Sequence, residues 1–149
     1  MEETALPAPS EGATRSGRTE VPPRLAFFIS PHGYGHAARS SAVMAALNER
    51  TGAEFELYTT VPRWFFDESI AGLFCYHEVV CDVGFVQTSA LSYDVRETVE
   101  ALRDLLPFDS DLLDDLAARV LEAGCRAVVC DIAPLGIAVA ERAGLPSVL

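Results

Sequence analysis

The stretch Leu25-Ala26-Phe27-Phe28-Ile29-Ser30-Pro31-His32-Gly33-Tyr34-Gly35-His36-Ala37-Ala38-Arg39 decides the fold. Its first five residues are a continuous apolar run of strand length, and Ser30 to Gly35 are loop chemistry. From His36 the pattern changes to Ala37, Ala38, Val43, Met44, Ala46 and Leu47, apolar positions at helical spacing that stop near Thr51-Gly52. A buried strand that turns through glycines into a helix is the opening unit of a parallel sheet.

The alternation continues downstream. Glu54 to Thr59 alternates as a strand, a short helix is expected from Pro62 to Ile70, and Leu73 to Val80 is strand-like. Cys81 to Ser92 fits neither period and is expected to be a long loop. Asp94 to Leu106 and Ser110 to Ala123 are helical in pattern, with Pro107 between them. Ala127 to Cys130 reads as a buried strand ending at Asp131, Pro134 to Ala143 as a helix closed by Gly144, and Pro146 to Leu149 as a further strand. Strands alternating with helices, apolar on both faces, predict a doubly wound, mainly parallel, Rossmann-like α/β sheet. Because the last strand should be central, the sequence reads as a truncated piece of a longer protein.

With 149 residues, 50% of them hydrophobic, the chain suits one folding unit, expected over residues 24–149. Residues 1–23 are rich in Glu, Pro, Ser, Gly and Thr and carry no apolar block. They read as a disordered leader, neither a secretory signal nor a membrane span, and imply a cytoplasmic protein. Acidic residues outnumber basic ones 22 to 11, a net charge of -11, so nucleic acid is excluded as a partner. The four cysteines form no C-x-x-C pair and no zinc spacing, so they read as small buried apolar residues and no metal is expected.

In open parallel sheets the ligand crevice lies at the carboxyl ends of the strands. The turn Ser30 to Arg39 therefore carries the candidate site. Gly33 and Gly35 let a ligand approach the backbone, and the helix start beyond them favours an anion or a sugar hydroxyl. Gly33, Gly35 and Ala38 match the dinucleotide pattern G-x-G-x-x-A, yet Thr59 and Thr60 stand where its ribose-binding acid should be. The chain has no lysine, which removes a P-loop, and no cofactor is assigned. His36 is the candidate general base on a sugar hydroxyl, with His32 as the other imidazole in the loop; either can instead only shape the turn.

The string Gly33-Tyr34-Gly35-His36-Ala37-Ala38-Arg39 resembles the G-x-G-H-x-x-R loop of GT-B glycosyltransferases, in particular MurG-like and related UDP-sugar transferases. A closer resemblance is to the transferase-like N-terminal domain of L-arabinokinase-type proteins. It is carried by Asp82-Val83-Gly84-Phe85-Val86-Gln87, Ala90-Leu91, Val129-Cys130-Asp131-Ile132-Ala133-Pro134 and Ala143-Gly144.

The resemblance implies the N-terminal half of a GT-B fold, receiving a sugar or glycan acceptor, with a nucleotide-sugar held mainly by a C-terminal domain or partner chain. His36 would be catalytic, and His32, Gly33, Tyr34, Gly35, Arg39, Gln87 and Asp131 would bind substrate. Asp131 can equally cap the helix after it, Gln87 can hold its own loop, and Arg39 can pair with a phosphate or a helix-surface carboxylate. Without a donor-binding half the expected domain is inactive, which leaves open a non-catalytic sugar- or nucleotide-binding regulatory domain of the kind preceding a sugar kinase.

Overall fold

A computed structural model describes residues 21–89 and 91–149. The expected leader lies almost wholly outside the described residues, as does Ala90. In chain order the elements are β1 (Arg24–Ile29), α1 (Tyr34–Thr51), β2 (Glu54–Thr59), α2 (Arg63–Ser69), β3 (Phe74–Glu78), β4 (Val86–Ser89), β5 (Ser92–Asp94), α3 (Val95–Leu105), α4 (Ser110–Glu122), β6 (Cys125–Asp131), α5 (Pro134–Ala143) and β7 (Ser147–Val148). Five strands form one sheet in the order β3-β2-β1-β6-β7, and every pairing in it is parallel. This is the expected Rossmann-like α/β fold.

Side chains alternate across a strand, so the apolar runs of β1 and β6 feed two cores. Ala26, Phe28, Tyr58, Val128 and Cys130 face α4 and α5, meeting Leu116, Val120, Leu135 and Val139. Phe27, Ile29, Phe55 and Leu57 face α1 and α2, meeting Ala37, Met44 and Phe66. Strand order reverses direction at β1, whose neighbours are β2 on one side and β6 on the other. The crevice of such a sheet opens at the carboxyl ends of the two strands flanking that switch, here β1 and β6.

Three expectations need correction. The segment Cys81 to Ser92 is not a featureless loop: β4 pairs antiparallel with β5 as a hairpin, Val86 opposite Asp94 and Gln87 opposite Tyr93. Its strands are short and largely exposed, so no buried face imprints a period on the sequence. Helix α1 begins at Tyr34 rather than near His36, because Gly33 serves as its N-cap at φ 78° and ψ 152°, a conformation open to glycine alone. Among the described residues β7 stands last in the sheet order, beside β6. Among the cysteines Cys81, Cys125 and Cys130 are buried, but Cys75 is exposed on β3. Burial pushes the Cys81 and Cys125 thiols up to about 12 and the Cys130 thiol to about 11, so these three stay protonated and inert.

Candidate functional site

Asp131, the last residue of β6, organises the crevice. Helical spacing puts His36, Arg39 and Ser40 of α1 on one face, three and four residues apart, and that face meets the end of β6. His36 Nδ1 lies 3.0 Å from Asp131 Oδ1, and Arg39 Nη2 contacts the same oxygen. Arg39 Nε donates to Asp131 Oδ2 at 3.1 Å and Ser40 Oγ donates to it at 3.0 Å. The Asp131 backbone carbonyl accepts from the Ser30 N–H at 3.1 Å, which ties the end of β6 to the end of β1.

Burial by itself would raise the Asp131 carboxyl, but the hydrogen bonds from Arg39, His36 and Ser40 outweigh it and hold the group below its ordinary value. An ionised carboxylate only accepts, so in neutral His36 the proton sits on Nδ1 and Nε2 keeps its lone pair. Arg39 Nη2, a permanent donor, stands 3.2 Å from that Nδ1 and therefore packs against it without a hydrogen bond. The carboxylate is thus shared between an imidazole and a bidentate guanidinium.

The residue after Asp131 is strained. Ile132 adopts φ 49°, the left-handed region that a β-branched side chain resists, and it is more than half exposed, so core packing does not explain the conformation. The turn out of β6 holds Asp131 at the crevice at the expense of its neighbour's backbone.

Two of the open alternatives close here. Asp131 does not cap α5, whose N-cap is Ala133 and lacks a side-chain bond. The carboxylate that Arg39 meets is not on a helix surface but is the strand-end Asp131.

The remaining expected residues separate into two neighbouring clefts that share Pro31 and Gly33. His32 and Gln87 line one, with Phe85. Tyr34 lines the other with Thr60, Val61 and Pro62, and stacks on Phe65 at 5.2 Å. Gln87 is exposed on β4, and its backbone is already held in the hairpin, so its amide is not spent on loop structure. Gly35 has open space where a Cβ would stand.

Sequence reasoning gave no individual role in the site to Ser30, Ser40 or Asp82. Ser30 Oγ donates to Asp82 Oδ2 at 2.9 Å, and Asp82 Oδ1 accepts from the Gly84 N–H at 3.2 Å. The signal for Ser40 was present in its spacing from His36; for Ser30 and Asp82, 52 positions apart, nothing local betrays the contact. The dinucleotide pattern fails structurally as well. Its third small residue serves close helix–strand packing, yet Ala38 is exposed and Ala37 is the buried one. Thr59 is fully buried and its hydroxyl accepts from the Val61 N–H at 3.1 Å, closing its own turn.

No family model matches the sequence, and no curated protein does. Among solved structures the chain is similar to Phytolacca americana UGT2 complexed with UDP-2fluoro-glucose and pterostilbene, with TM-score 0.54 and 18% identity over 87% of this chain and 30% of that one. It is also similar to a ugt transferase from Siraitia grosvenorii in complex with UDP, with TM-score 0.50 and 14% identity over 83% of this chain and 26% of that one. The chain thus spans less than a third of either structure, and at these identities the likeness establishes the fold, in agreement with a partial domain of GT-B type. Among the described residues, no helix is long and apolar enough to cross a membrane.

Proposed function

We propose that this chain is the acceptor-side domain of a glycosyltransferase that takes its sugar from a nucleotide-sugar donor. The observation that carries the proposal is the His36–Asp131 pair at the topological switch point of the sheet, 3.0 Å apart. In the proposed step the lone pair on His36 Nε2 accepts the proton of an acceptor hydroxyl. The acceptor oxygen then bonds to the donor's anomeric carbon as the bond from that carbon to the diphosphate breaks, and the nucleoside diphosphate leaves. Asp131 orients the ring through Nδ1 and balances the charge that develops on it.

Transfer needs acceptor, donor and base held together, and half a cleft cannot supply the effective molarity. A donor-binding half, either a C-terminal domain or a partner chain, is therefore part of the proposal. The likeness to L-arabinokinase-type domains rests on its sequence strings; of their residues, Asp82 and Gly84 form the contacts beside His32, and Asp131 ends β6.

One observation favours a second reading. Arg39 already occupies both oxygens of Asp131, so part of the charge that would stabilise a protonated His36 is spent. A domain that binds a sugar or nucleotide without turning it over has use for such a neutralised, rigid carboxylate.

The test is transfer from nucleotide sugars by the protein that joins this chain to its donor-binding half. Turnover that collapses in His36→Ala supports the transferase. Failure to consume any nucleotide sugar counts against it, and ligand binding that survives His36→Ala with no turnover in either form favours the binding domain.

A further inference from the structure

We propose that Arg39 sets the protonation of His36: its guanidinium shares Asp131 with the imidazole and holds back the uptake of a second proton, which makes Arg39 a positioning residue for the transfer step. The inference rests on the transferase reading and deepens it, because a general base works only while its ring nitrogen keeps a lone pair.

An imidazole alone beside a carboxylate is drawn toward its protonated form, since the opposite charge favours the cation. Asp131 is 9% exposed and touches His36 Nδ1 at 3.0 Å, so by itself it would pull a second proton onto the ring and remove the lone pair on Nε2. Arg39 opposes this in two ways. It neutralises the carboxylate with a two-point clamp, Nε on Oδ2 at 3.1 Å and Nη2 on Oδ1. The same Nη2 stands 3.2 Å from His36 Nδ1, where a permanent positive charge repels a second one. Burial by itself would raise the Asp131 carboxyl, and of the hydrogen bonds that outweigh it the one from Arg39 is the largest.

The other histidine–carboxylate pair of this protein places its arginine differently. His77 Nε2 takes Oε2 of Glu56 at 2.7 Å, while Arg24 takes the opposite oxygen, Oε1, at 3.2 Å and divides itself between Glu56 and Glu54. In the crevice Arg39 sits on Oδ1, the oxygen that His36 also uses, and gives two donors to one carboxylate. With Nε and Nη2 both turned to Asp131, the edge that would grip a phosphate bidentately is occupied. The Arg39 side chain is 60% exposed, so it closes on Asp131 from the solvent side and can be replaced without opening the core. Among the described residues, the charged groups within hydrogen-bonding distance of the His36 ring are Asp131 from β6 and Arg39 from its own helix. His32 and Asp82, the other titratable groups beside the turn, face each other at 3.8 Å.

NMR titration of the histidine rings in the full chain tests this without requiring turnover, with the His36 signal assigned by its loss in His36→Gln. Arg39→Gln and Arg39→Met both remove the charge, and Gln keeps a donor for Asp131. Each should raise the midpoint of His36 protonation by about 0.5–1.5 pH units. Arg39→Lys, which keeps the charge, should move it less than half as far, and Asp131→Asn, which leaves the Arg39 charge uncompensated, should lower it. Two charge-removing variants keep the result readable if one of them fails to fold. In the protein joined to its donor-binding half, the acid limb of kcat/KM should move to higher pH in Arg39→Gln, while KM for the nucleotide sugar changes by less than about threefold.

A midpoint that Arg39→Gln and Arg39→Met leave in place or lower overturns the proposal. So does a loss of transfer at every pH with the acid limb unmoved, which marks a substrate contact or a purely structural role. A raised midpoint in a protein that never consumes a nucleotide sugar keeps the control of His36 by Arg39 and sinks the transferase. Transfer that depends on His36, with a midpoint indifferent to Arg39, does the reverse.

Discussion

Two histidine–carboxylate pairs of similar geometry occur in this protein, and they differ in where the sheet puts them. His36 Nδ1 meets Asp131 Oδ1 at 3.0 Å, and His77 Nε2 meets Glu56 Oε2 at 2.7 Å. The second pair lies along the strands themselves, on β2 and β3. Its imidazole stacks on Tyr58 at 4.5 Å, Tyr58 stacks on Phe28, and Arg24 also holds Glu56 at 3.2 Å. That pair closes the face of a sheet and satisfies a buried glutamate. The first pair lies beyond the strand ends, next to a glycine-only N-cap and a strained Ile132. A carboxylate beside an imidazole is therefore no mark of a site by itself; its position at the switch point is what distinguishes one pair from the other.

The widest separation between the pairs should appear in turnover. In the protein carrying its donor half, His36→Ala is expected to lower transfer roughly 10²–10⁴-fold, the usual worth of a general base, while His77→Ala changes it by no more than a few-fold. Equal losses from the two substitutions would erase the distinction.

Stability should rank them the other way. His77→Ala leaves Glu56 buried with one partner fewer and should cost about 1–3 kcal/mol in urea unfolding, more than His36→Ala, whose partner Asp131 keeps Arg39 and Ser40. A larger loss from His36→Ala would show that the crevice, not the sheet face, is the structural pair.

Acid should act on the crevice. Asp131 titrates in the folded protein below its ordinary 3.8, so its contribution is fully present above that value and is lost as pH falls through the lowered one. The stability gap between the native chain and Asp131→Asn should hold from neutral pH down to about that value and close below it. A gap independent of pH would mean that packing and not charge holds Asp131.

The smallest effect concerns strain. Ile132→Gly relieves a left-handed β-branched residue whose side chain is mostly exposed, and should leave stability unchanged or raise it by up to about 1 kcal/mol. If it lowers stability by more than that, the side chain packs on something that its exposure does not suggest.

Much of this was legible residue by residue. β2 over Glu54–Thr59 and α5 over Pro134–Ala143 match the expected bounds, since both carry a clear period and end at turn residues. The hairpin of Val86–Ser89 and Ser92–Asp94 was not legible, because exposed Gln87, Thr88 and Ser89 have no apolar partner with which to alternate. The start of α1 was missed by two residues, since its N-cap is a glycine without a capping side chain. His32, Gln87 and Phe85 meet across more than fifty positions, and no spacing rule spans that distance.

The alternation of strands and helices, the parallel sheet and the glycine–histidine turn are thus properties of the amino-acid order, because they follow from periods and turn chemistry within a few residues. That β6 lies beside β1 emerges only in three dimensions. This one adjacency brings Asp131 to His36 from 95 positions away and draws Arg39 to the strand end. Strand order is a property of the whole sheet's packing, which is why no local pattern announces it.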